Sequence, residues 1–241
     1  MIIAFTGQKS SGKDTAAGFV DGEVVKFAGG LKHMLRVALK GAGVPEEIVE
    51  EMIEGGLKEV ETNYLDPDKM DRVKFCADLT YGLMQYQGAC YGDYMNSLRR
   101  SRYLDGKTPF AVNYSLLSTW WNELRKGPFT PRHAMITLGT EWGRCIMGEN
   151  FWVNITARKI KTIPGNVKIT DVRFPNEAAK VKELGGMLLR VERPGTEASS
   201  GSHESEALIA SLDVDGVITN DGTLEDLSEK VRQMITETTG Q

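Results

Sequence analysis

A glycine-rich segment near the N-terminus constrains the fold of this chain more than any other feature. Residues 7–13 read G-Q-K-S-S-G-K and match the pattern G-x-x-x-x-G-K. The apolar run at residues 2–6 precedes them as a predicted buried strand, and residues 12–20 follow as a predicted helix. In this context the glycines let successive backbone N–H groups point inward, and the helix start adds partial positive charge. The segment therefore predicts a phosphate-binding loop (P-loop), with Lys13 reaching the β- and γ-phosphates of a nucleotide and Lys9 as a second cation.

The residue after the loop lysine departs from the general motif. Asp14 stands where serine or threonine usually contacts Mg²⁺, and Thr15 comes one residue later. Two interpretations of Asp14 stay open: a favourable acidic residue in the first turn of a helix, or a group that holds Mg²⁺ through water. Thr15 is predicted either to help hold the metal or to donate its hydroxyl to phosphate.

Short apolar runs alternate with helical periodicity at both ends of the chain. The predicted strands are residues 2–6, 24–27, 167–171, 187–191 and 214–218, and the predicted helices between them include residues 176–184 and 224–235. Another helix is predicted where apolar residues recur at helical spacing, at Leu31, Leu35, Ala38 and Leu39, and Thr223 is predicted to cap the helix at 224–235. Residues from about 41 to 165 are mostly helical in pattern. We predict an α/β fold, a three-layer P-loop NTPase with about five mostly parallel strands. It forms one domain over residues 1–241, with a large helical insertion at about 41–165 that is expected to bind substrate or act as a lid.

A second polar group follows the predicted strand at residues 167–171. Asp171, Arg173 and Glu177 lie where that strand ends and the next helix begins. Ligands of open parallel sheets bind beyond the carboxyl ends of the strands, so this group and the P-loop are predicted to share one crevice. Asp171 is suited to hold Mg²⁺ or orient an acceptor, and Arg173 to stabilise charge on a transferring phosphoryl group. Taken alone, the segment favours a surface ion pair between Arg173 and Glu177 with Asn176 capping the helix, and only together with the P-loop does it favour a functional site.

Charge and composition exclude several classes of protein. The formal net charge is −4 and the pI about 5.6, which disfavours wholesale nucleic-acid binding, and the basic run at residues 99–103 is predicted to be solvated surface. No apolar run reaches the length of a membrane span, and no basic leader precedes the first strand. The three cysteines include no C-x-x-C pair and favour a reduced, cytoplasmic protein. The three histidines lack the spacing of metal ligands, so no structural metal is expected.

These motifs resemble those of the bacteriophage deoxynucleoside monophosphate kinases. The resemblance begins with G-x-K-x-S-G-K-D-T at residues 7–15 and D-x-R at 171–173 followed by Glu177. Further similar segments are F-A-G-G-L-K at 27–32 (where the family has proline at position 30), Arg132 before L-G-T-E at 138–141, F-W-V at 151–153, R-P-G at 193–195, H-E-S-E at 203–206 and I-T-N-D-G at 218–222. The resemblance does not extend to residues 42–130.

The resemblance implies a role for each matching residue. The donor triphosphate, ATP, would be bound by Lys9, Gly12, Lys13, Asp14, Thr15 and Ser205. The acceptor monophosphate would be surrounded by Leu31, Lys32, Arg132, Gly139, Thr140, Trp152, Asp171, Arg173 and Glu177. The expected catalytic residues are Lys13, Asp171 and Arg173, with Mg²⁺ held at Asp14 and Thr15. Two of these roles compete with plainer interpretations, because a Trp152 in an apolar F-W-V run is often a core residue and Arg132 alone would be a solvated helix residue.

Other functions stay open at this point. Phosphomevalonate kinases of the animal type share the S-G-K-D loop and a D-x-R at a strand end, so another small-molecule phosphate kinase is the main enzymatic alternative. A non-catalytic nucleotide-binding module is the alternative from another class, while a regulatory GTPase lacks its N-K-x-D segment here. The favoured expectation is transfer of the γ-phosphoryl group of ATP to a deoxynucleoside 5′-monophosphate in the cytoplasm, or in the host cytoplasm for a viral protein. The base, the sugar preference and the subunit number stay open, with a homodimer as one alternative.

Overall fold

The computed structural model describes residues 1–87, 109–195 and 208–239. Ser205, predicted to bind the donor, and the basic run at residues 99–103 lie outside the described residues. The chain divides into two compact units, and each is described by itself. The sheet unit comprises Met1–Phe27 and Thr156–Gln241, and the helical unit comprises Ala28–Ile155.

The strands that the structure describes in the sheet unit all run parallel in one five-stranded sheet. They are β1 (Ile2–Thr6), β2 (Glu23–Val25), β3 (Val167–Ile169), β4 (Met187–Glu192) and β5 (Gly216–Thr219), in the spatial order β2-β3-β1-β4-β5. Strand β1 is central: its Ile2 lies opposite Val167 of β3, and its Ile3 lies opposite Met187 of β4. Together with the helices that flank the sheet, this arrangement confirms the predicted α/β fold with about five mostly parallel strands.

Helices make up most of the remaining described residues. They are α1 (Lys13–Gly18), α2 (Gly29–Gly41), α3 (Glu46–Ile53), α4 (Arg72–Tyr86), α5 (Pro109–Leu124), α6 (Pro131–Thr137), α7 (Phe151–Lys161), α8 (Pro175–Glu183) and α9 (Leu224–Thr239). Two short 3₁₀ turns occupy Gly56–Glu59 and Asn63–Leu65, and Leu138–Ile146 forms a π-helix directly after α6. No helix in the described ranges has both the length and the apolar character needed to cross a bilayer.

The core of the sheet unit explains why its strands read as continuous apolar runs. Ile3 and Phe5 of β1 and Leu189 of β4 are buried, as parallel strands covered on both faces require. The small residues Ala16 and Ala17 of α1 are buried in the same cluster, so the helix that follows the P-loop packs closely on the sheet. This packing sets the position of the P-loop at the carboxyl end of β1.

The end of α1 depends on a residue far away in sequence. The sequence predicted a helix through residue 20, whereas α1 ends at Gly18. Lys168 of β3 donates from Nζ to the carbonyl oxygens of Ala17 at 3.1 Å and Val20 at 2.7 Å. A cation at the carboxyl end of a helix satisfies backbone acceptors that have no helical partner. The sheet therefore fixes where the helix stops.

The last helix begins where the sequence predicted. Thr223 Oγ1 accepts a hydrogen bond from the Asp226 backbone N–H at 3.2 Å, and the Asp226 carboxylate accepts one from the Thr223 N–H at 2.8 Å. This reciprocal pair satisfies two backbone donors at the start of α9 and confirms Thr223 as its N-cap. The same backbone hydrogen bond holds the pKa of Asp226 below its usual value.

The helical unit has a separate core built on the crossing of α2 and α4. The predicted apolar face of α2 is buried, with Leu31, Leu35, Ala38 and Leu39 all in the core. At Gly82 the two helices approach so closely that a Cβ atom would lie 2.9 Å from Met34 Cα and 3.1 Å from Val37 Cβ. The absence of a side chain at Gly82 therefore sets the separation of the two helices.

This close approach predicts that Gly82→Ala destabilises the protein. Alanine favours a helix over glycine by about 1 kcal/mol, but forcing a methyl group against the α2 backbone costs about 1–3 kcal/mol. We expect a lower free energy of unfolding in urea titrations. Gly18→Ala is the matched control, because a Cβ there meets no atom within 4 Å. A Gly82→Ala protein as stable as the control would show that the helices move apart without cost.

Candidate active site

The P-loop bends sharply between β1 and α1. The Ser11 N–H donates to the Gln8 carbonyl oxygen at 3.2 Å, and both Ser10 (φ 66°) and Gly12 (φ 94°) adopt left-handed backbone conformations. Gly7 lies so close to β4 that a Cβ atom would be 2.5 Å from the carbonyl oxygen of Val191. Glycine is therefore required at position 7 by close approach and at position 12 by backbone conformation.

Lys13 and Asp14 form a contact at the start of α1. Lys13 Nζ lies 3.6 Å from Asp14 Oδ2; the Lys13 side chain is 14% exposed, whereas that of Asp14 is 70% exposed. A triphosphate in the P-loop would present much more negative charge to the same ammonium group than one exposed carboxylate does. Asp14 is therefore a counter-ion of Lys13 that a bound triphosphate can replace.

The candidate metal site consists of oxygen donors at the first turn of α1. Asp14 and Thr15 are both exposed there. The described ranges contain no cluster of three or more His, Cys, Asp and Glu side chains able to hold a metal ion. Exposed carboxylate and hydroxyl oxygens without a protein cage fit Mg²⁺, which keeps several waters and binds through few protein ligands plus substrate phosphates.

The structure brings the D-x-R segment beside the P-loop within the sheet unit. Strand β3 pairs directly with β1, so the residues after both strands share one edge of the sheet. Thr6 Oγ1, at the end of β1, donates to the Val172 carbonyl oxygen at 2.8 Å. Asp171 Oδ1 accepts from the Phe27 N–H at 2.8 Å and so ties this edge to the segment after β2. The predicted grouping of Asp171 and Arg173 with the P-loop follows from these contacts.

Glu177 organises the turn that carries Arg173. Only 4% of Glu177 is exposed, and its Oε2 accepts from the backbone N–H groups of Arg173 at 2.8 Å and Phe174 at 3.2 Å. The Arg173 side chain is exposed, and its guanidinium forms no ion pair with any residue that the structure describes. The buried carboxylate therefore holds the Arg173 backbone while the cation stays available to a ligand. A surface pair between the two side chains, the plainer interpretation from sequence, is not what the structure shows.

The helical unit contains the remaining predicted acceptor residues, and its two predicted cations are paired. Lys32 Nζ lies 2.8 Å from Glu54 Oε2, and Arg132 Nε lies 2.8 Å from Glu59 Oε1. Leu31, next to Lys32 in the first turn of α2, is 9% exposed. Each cation holds a single carboxylate, a group that a phosphate dianion can replace with similar hydrogen-bond geometry and more charge.

Trp152 is a core residue of the helical unit. It is 4% exposed, its indole N–H donates to the Gly139 carbonyl oxygen at 2.9 Å, and its ring centre lies 4.9 Å from that of Phe151. Gly143 makes room for it, because a Cβ there would lie 2.1 Å from Trp152 Nε1. Contact of Trp152 with a base stays a prediction, whereas its packing and its bond to Gly139 are observed.

The segment that carries Gly139 and Thr140 is a π-helix, where sequence indicated an ordinary helix. The Met147 N–H donates to the Trp142 carbonyl oxygen at 3.0 Å, five residues earlier, as a π-helix requires. Thr140 is exposed on this segment. π-Turns occur frequently at functional sites because the widened turn redirects backbone groups, which fits the predicted role of this segment.

Sequence reasoning missed one residue of the site. From sequence, Asn220 was placed in the I-T-N-D-G segment after the last strand and assigned no role. In the structure its Nδ2 donates to the Ser11 carbonyl oxygen in the P-loop at 2.9 Å. The only signal available in the sequence was its place after a strand of the same parallel sheet, which predicts proximity to the P-loop and no particular contact.

Fold and site together define a class of protein. A five-stranded parallel sheet flanked by helices, with a P-loop after its central strand, is consistent with an α/β P-loop kinase. The family model described as deoxynucleotide monophosphate kinase matches residues 1–231, and the chain belongs to that family. A kinase of this family uses a nucleoside triphosphate as co-substrate.

Individual relatives agree with the family assignment. The chain is 28% identical, over 252 aligned positions, to the deoxynucleotide monophosphate kinase of Escherichia phage RB69, an alignment that covers 97% of this chain and 99% of the phage protein. It is 26% identical over 247 positions to the protein of the same name from Enterobacteria phage T4, covering 97% and 98%. A shorter match, 42% identical over 55 residues and 22% of each chain, links it to the deoxynucleoside-5′-monophosphate kinase of Escherichia phage T5.

The position of Glu177 predicts a structural cost for its removal. Glu177→Ala leaves two backbone N–H groups without their acceptor, so we expect a loss of about 1–3 kcal/mol in the free energy of unfolding. Glu183→Ala, on the same helix, removes an exposed carboxylate that pairs with Lys180 and should change stability by less than about 0.5 kcal/mol. Chemical denaturation of both variants makes the comparison, and equal stabilities would show that Glu177 does not organise the turn.

Proposed function

We propose that this protein transfers the γ-phosphoryl group of ATP to a deoxynucleoside 5′-monophosphate, giving ADP and the deoxynucleoside diphosphate used for DNA precursor synthesis. The observation that carries the proposal is the P-loop with Asp171 and Arg173 on neighbouring parallel strands, in a chain that belongs to the deoxynucleotide monophosphate kinase family. A non-catalytic nucleotide-binding module has no need for a cation held ready beside the phosphate loop.

The transfer step follows from the charges of the reactants. A phosphate oxygen of the acceptor forms a bond to the γ-phosphorus, and the bond from that phosphorus to the bridging oxygen breaks. Its electron pair stays on the β-phosphate of ADP. The attacking oxygen is already ionised, so the step needs positioning and charge stabilisation more than a base. In the proposal Lys13 neutralises the β- and γ-phosphates, and Arg173 stabilises the transferring group.

The donor is assigned to the sheet unit. The inward N–H groups of the P-loop and the start of α1 favour an anion, and Lys9, Gly12 and Lys13 supply the contacts. Asp14 and Thr15 are the proposed oxygen ligands of Mg²⁺, with Asp171 as a third candidate. A bound Mg²⁺ ion would neutralise negative charge on the triphosphate.

The acceptor residues are proposed for each unit by itself. Lys32 and Arg132 are proposed to exchange their carboxylate partners for the monophosphate. Leu31, Gly139, Thr140 and Trp152 of the same helical unit are proposed to shape the space around the sugar and base. In the sheet unit, Asp171, Arg173 and Glu177 are the proposed acceptor residues. Because Trp152 is 4% exposed, its contribution is more through holding Gly139 than through a broad stacking face.

Three broader features belong to the same proposal. The chain acts as one kinase domain whose insertion, predicted at about residues 41–165, carries acceptor-binding residues. Its named relatives are phage proteins, which supports action in the cytoplasm of an infected cell. A homodimer stays a prediction that light scattering of the purified protein tests.

A substrate panel tests the proposed reaction. Purified protein is incubated with ATP, Mg²⁺ and one of the deoxynucleoside monophosphates, ribonucleoside monophosphates or phosphomevalonate, and both ADP and the phosphorylated acceptor are measured. We expect turnover with deoxynucleoside monophosphates.

Lys13→Ala should remove nearly all turnover while the protein stays folded, because the positive charge of Lys13 matters most as the γ-phosphoryl group moves. Lys161→Ala, an exposed lysine of α7, is the matched control. Turnover with phosphomevalonate alone would overturn the acceptor assignment, and near-normal turnover by folded Lys13→Ala would overturn the kinase assignment.

Substitution of Arg173 tests whether its guanidinium acts in the transfer step or in binding the acceptor. If its guanidinium acts mainly in the transition state, Arg173→Ala lowers kcat by about 10³-fold or more, by analogy with arginine fingers, and changes the acceptor KM less. Arg173→Lys should rescue poorly, since a point charge cannot form a two-pronged contact with phosphate. Steady-state kinetics of both variants are compared with Arg232→Ala, an exposed arginine paired with Glu229 on α9. Unchanged kcat in Arg173→Ala would remove this residue from the mechanism.

A further inference from the structure

The turn after β5 makes a contact with the P-loop that the proposed mechanism does not use. Asn220 Nδ2 donates to the Ser11 carbonyl oxygen at 2.9 Å, across 209 residues of sequence. Ser11 itself is fully buried, so this carbonyl group has little access to water. The P-loop therefore receives a hydrogen-bond donor from the opposite end of the chain.

The planarity of the Ser11–Gly12 peptide links this contact to the direction of the Gly12 N–H. The Ser11 carbonyl oxygen and the Gly12 N–H belong to the same planar trans peptide and point in opposite directions. Holding the carbonyl toward Asn220 turns the Gly12 N–H to the other side. No hydrogen bond to any residue in the described ranges occupies that N–H. An N–H oriented this way at the start of a helix is suited to a phosphate oxygen.

The backbone around this peptide would not keep its shape unaided. Ser10 (φ 66°) and Gly12 (φ 94°) flank Ser11 with left-handed conformations. A left-handed conformation at a residue other than glycine costs free energy and persists only when the surroundings determine it. The hydrogen bond from Asn220 to Ser11 is one of the contacts that do so.

Asn220 is itself held firmly. Its backbone N–H donates to the Glu192 carbonyl oxygen of β4 at 2.7 Å. Its amide packs against Gly12, where a Cβ atom would lie 2.3 Å from Nδ2. The amide therefore has a fixed place from which to orient the loop.

We propose that Asn220 is a positioning residue for the donor: it sets the Ser11–Gly12 peptide so that the Gly12 N–H faces the phosphates of the nucleoside triphosphate. It acts through the loop and does not itself touch the nucleotide. The inference rests on the proposed function for the identity of the ligand. The contact also explains why glycine is needed at position 12 for space as well as for conformation.

The test measures ATP binding directly and without acceptor. Asn220→Ala removes the donor, and Asn220→Asp keeps the size but places an acceptor oxygen against the Ser11 carbonyl group. Calorimetric titration with ATP and Mg²⁺ should give a Kd raised about tenfold in both variants, the size expected when a hydrogen bond to a buried carbonyl group is lost. In steady-state kinetics the KM for ATP should rise similarly, while the acceptor KM stays within about twofold of wild type.

Asp221→Asn is the matched control. It alters the exposed bond to Lys230 in the same turn and leaves the amide of Asn220 in place, so its ATP affinity should equal that of wild type. Thermal melting identifies any variant that fails to fold, and Asn220→Asp serves if Asn220→Ala does not. Wild-type ATP affinity in a folded Asn220 variant would overturn the proposal, as would an equal loss in Asp221→Asn. Because ATP binding is measured alone, a wrong acceptor assignment would leave this result intact.

Discussion

The sheet unit is organised by one requirement, that the backbone of the P-loop turn its N–H groups toward an anion. A backbone that directs N–H groups to one side directs its carbonyl groups to the other, and those carbonyl groups need partners. Gly7 allows the loop to approach β4, Gly12 allows the left-handed turn before α1, and Asn220 supplies a donor for the Ser11 carbonyl oxygen. The approach of Gly7 to β4 and the hydrogen bond from Asn220 are possible because β1 is central and the parallel strands β4 and β5 end at the same edge of the sheet.

A buried carboxylate also fixes the backbone conformation of a turn beside the P-loop. Glu177 is 4% exposed and accepts hydrogen bonds from consecutive backbone N–H groups, which fixes the turn between β3 and α8. Asp171 is held in the same segment through the Phe27 N–H. Phosphoryl transfer depends on prepositioned charge, and rigid support lets an exposed guanidinium such as that of Arg173 act without reorganising its backbone.

The helical unit combines a rigid aromatic core with exchangeable ion pairs. Trp152 packs against Phe151 and Trp142 and bonds to Gly139, which ties the π-helix to α7. Lys32 and Arg132, in contrast, hold partly exposed carboxylates. Exposed pairs of this kind contribute little to stability, so a phosphate ligand can displace them at small cost. Rigid packing and replaceable counter-ions together suit a surface that binds and releases an anion.

The sequence by itself determined the architecture of the sheet unit and the position of its predicted phosphate-binding loop. The pattern at residues 7–13 carries its own physical requirements, and short apolar runs separated by helical periodicity specify a parallel sheet because both faces of each strand must be buried. Thr223 as a helix cap and the buried face of α2 were likewise local, since capping and periodicity involve residues a few positions apart. The D-x-R segment was placed correctly because parallel strands end at one edge.

Only the tertiary structure decided how the site residues are held. The end of α1 at Gly18, the role of Glu177 as a backbone acceptor, the carboxylate partners of Lys32 and Arg132, and the burial of Trp152 all depend on contacts absent from the local pattern. Asn220 is the clearest case: its partner lies 209 residues away, and no periodicity or composition records such a pairing. A side-chain hydrogen bond depends on positions to within a few tenths of an ångström, which chain packing sets and local propensity does not.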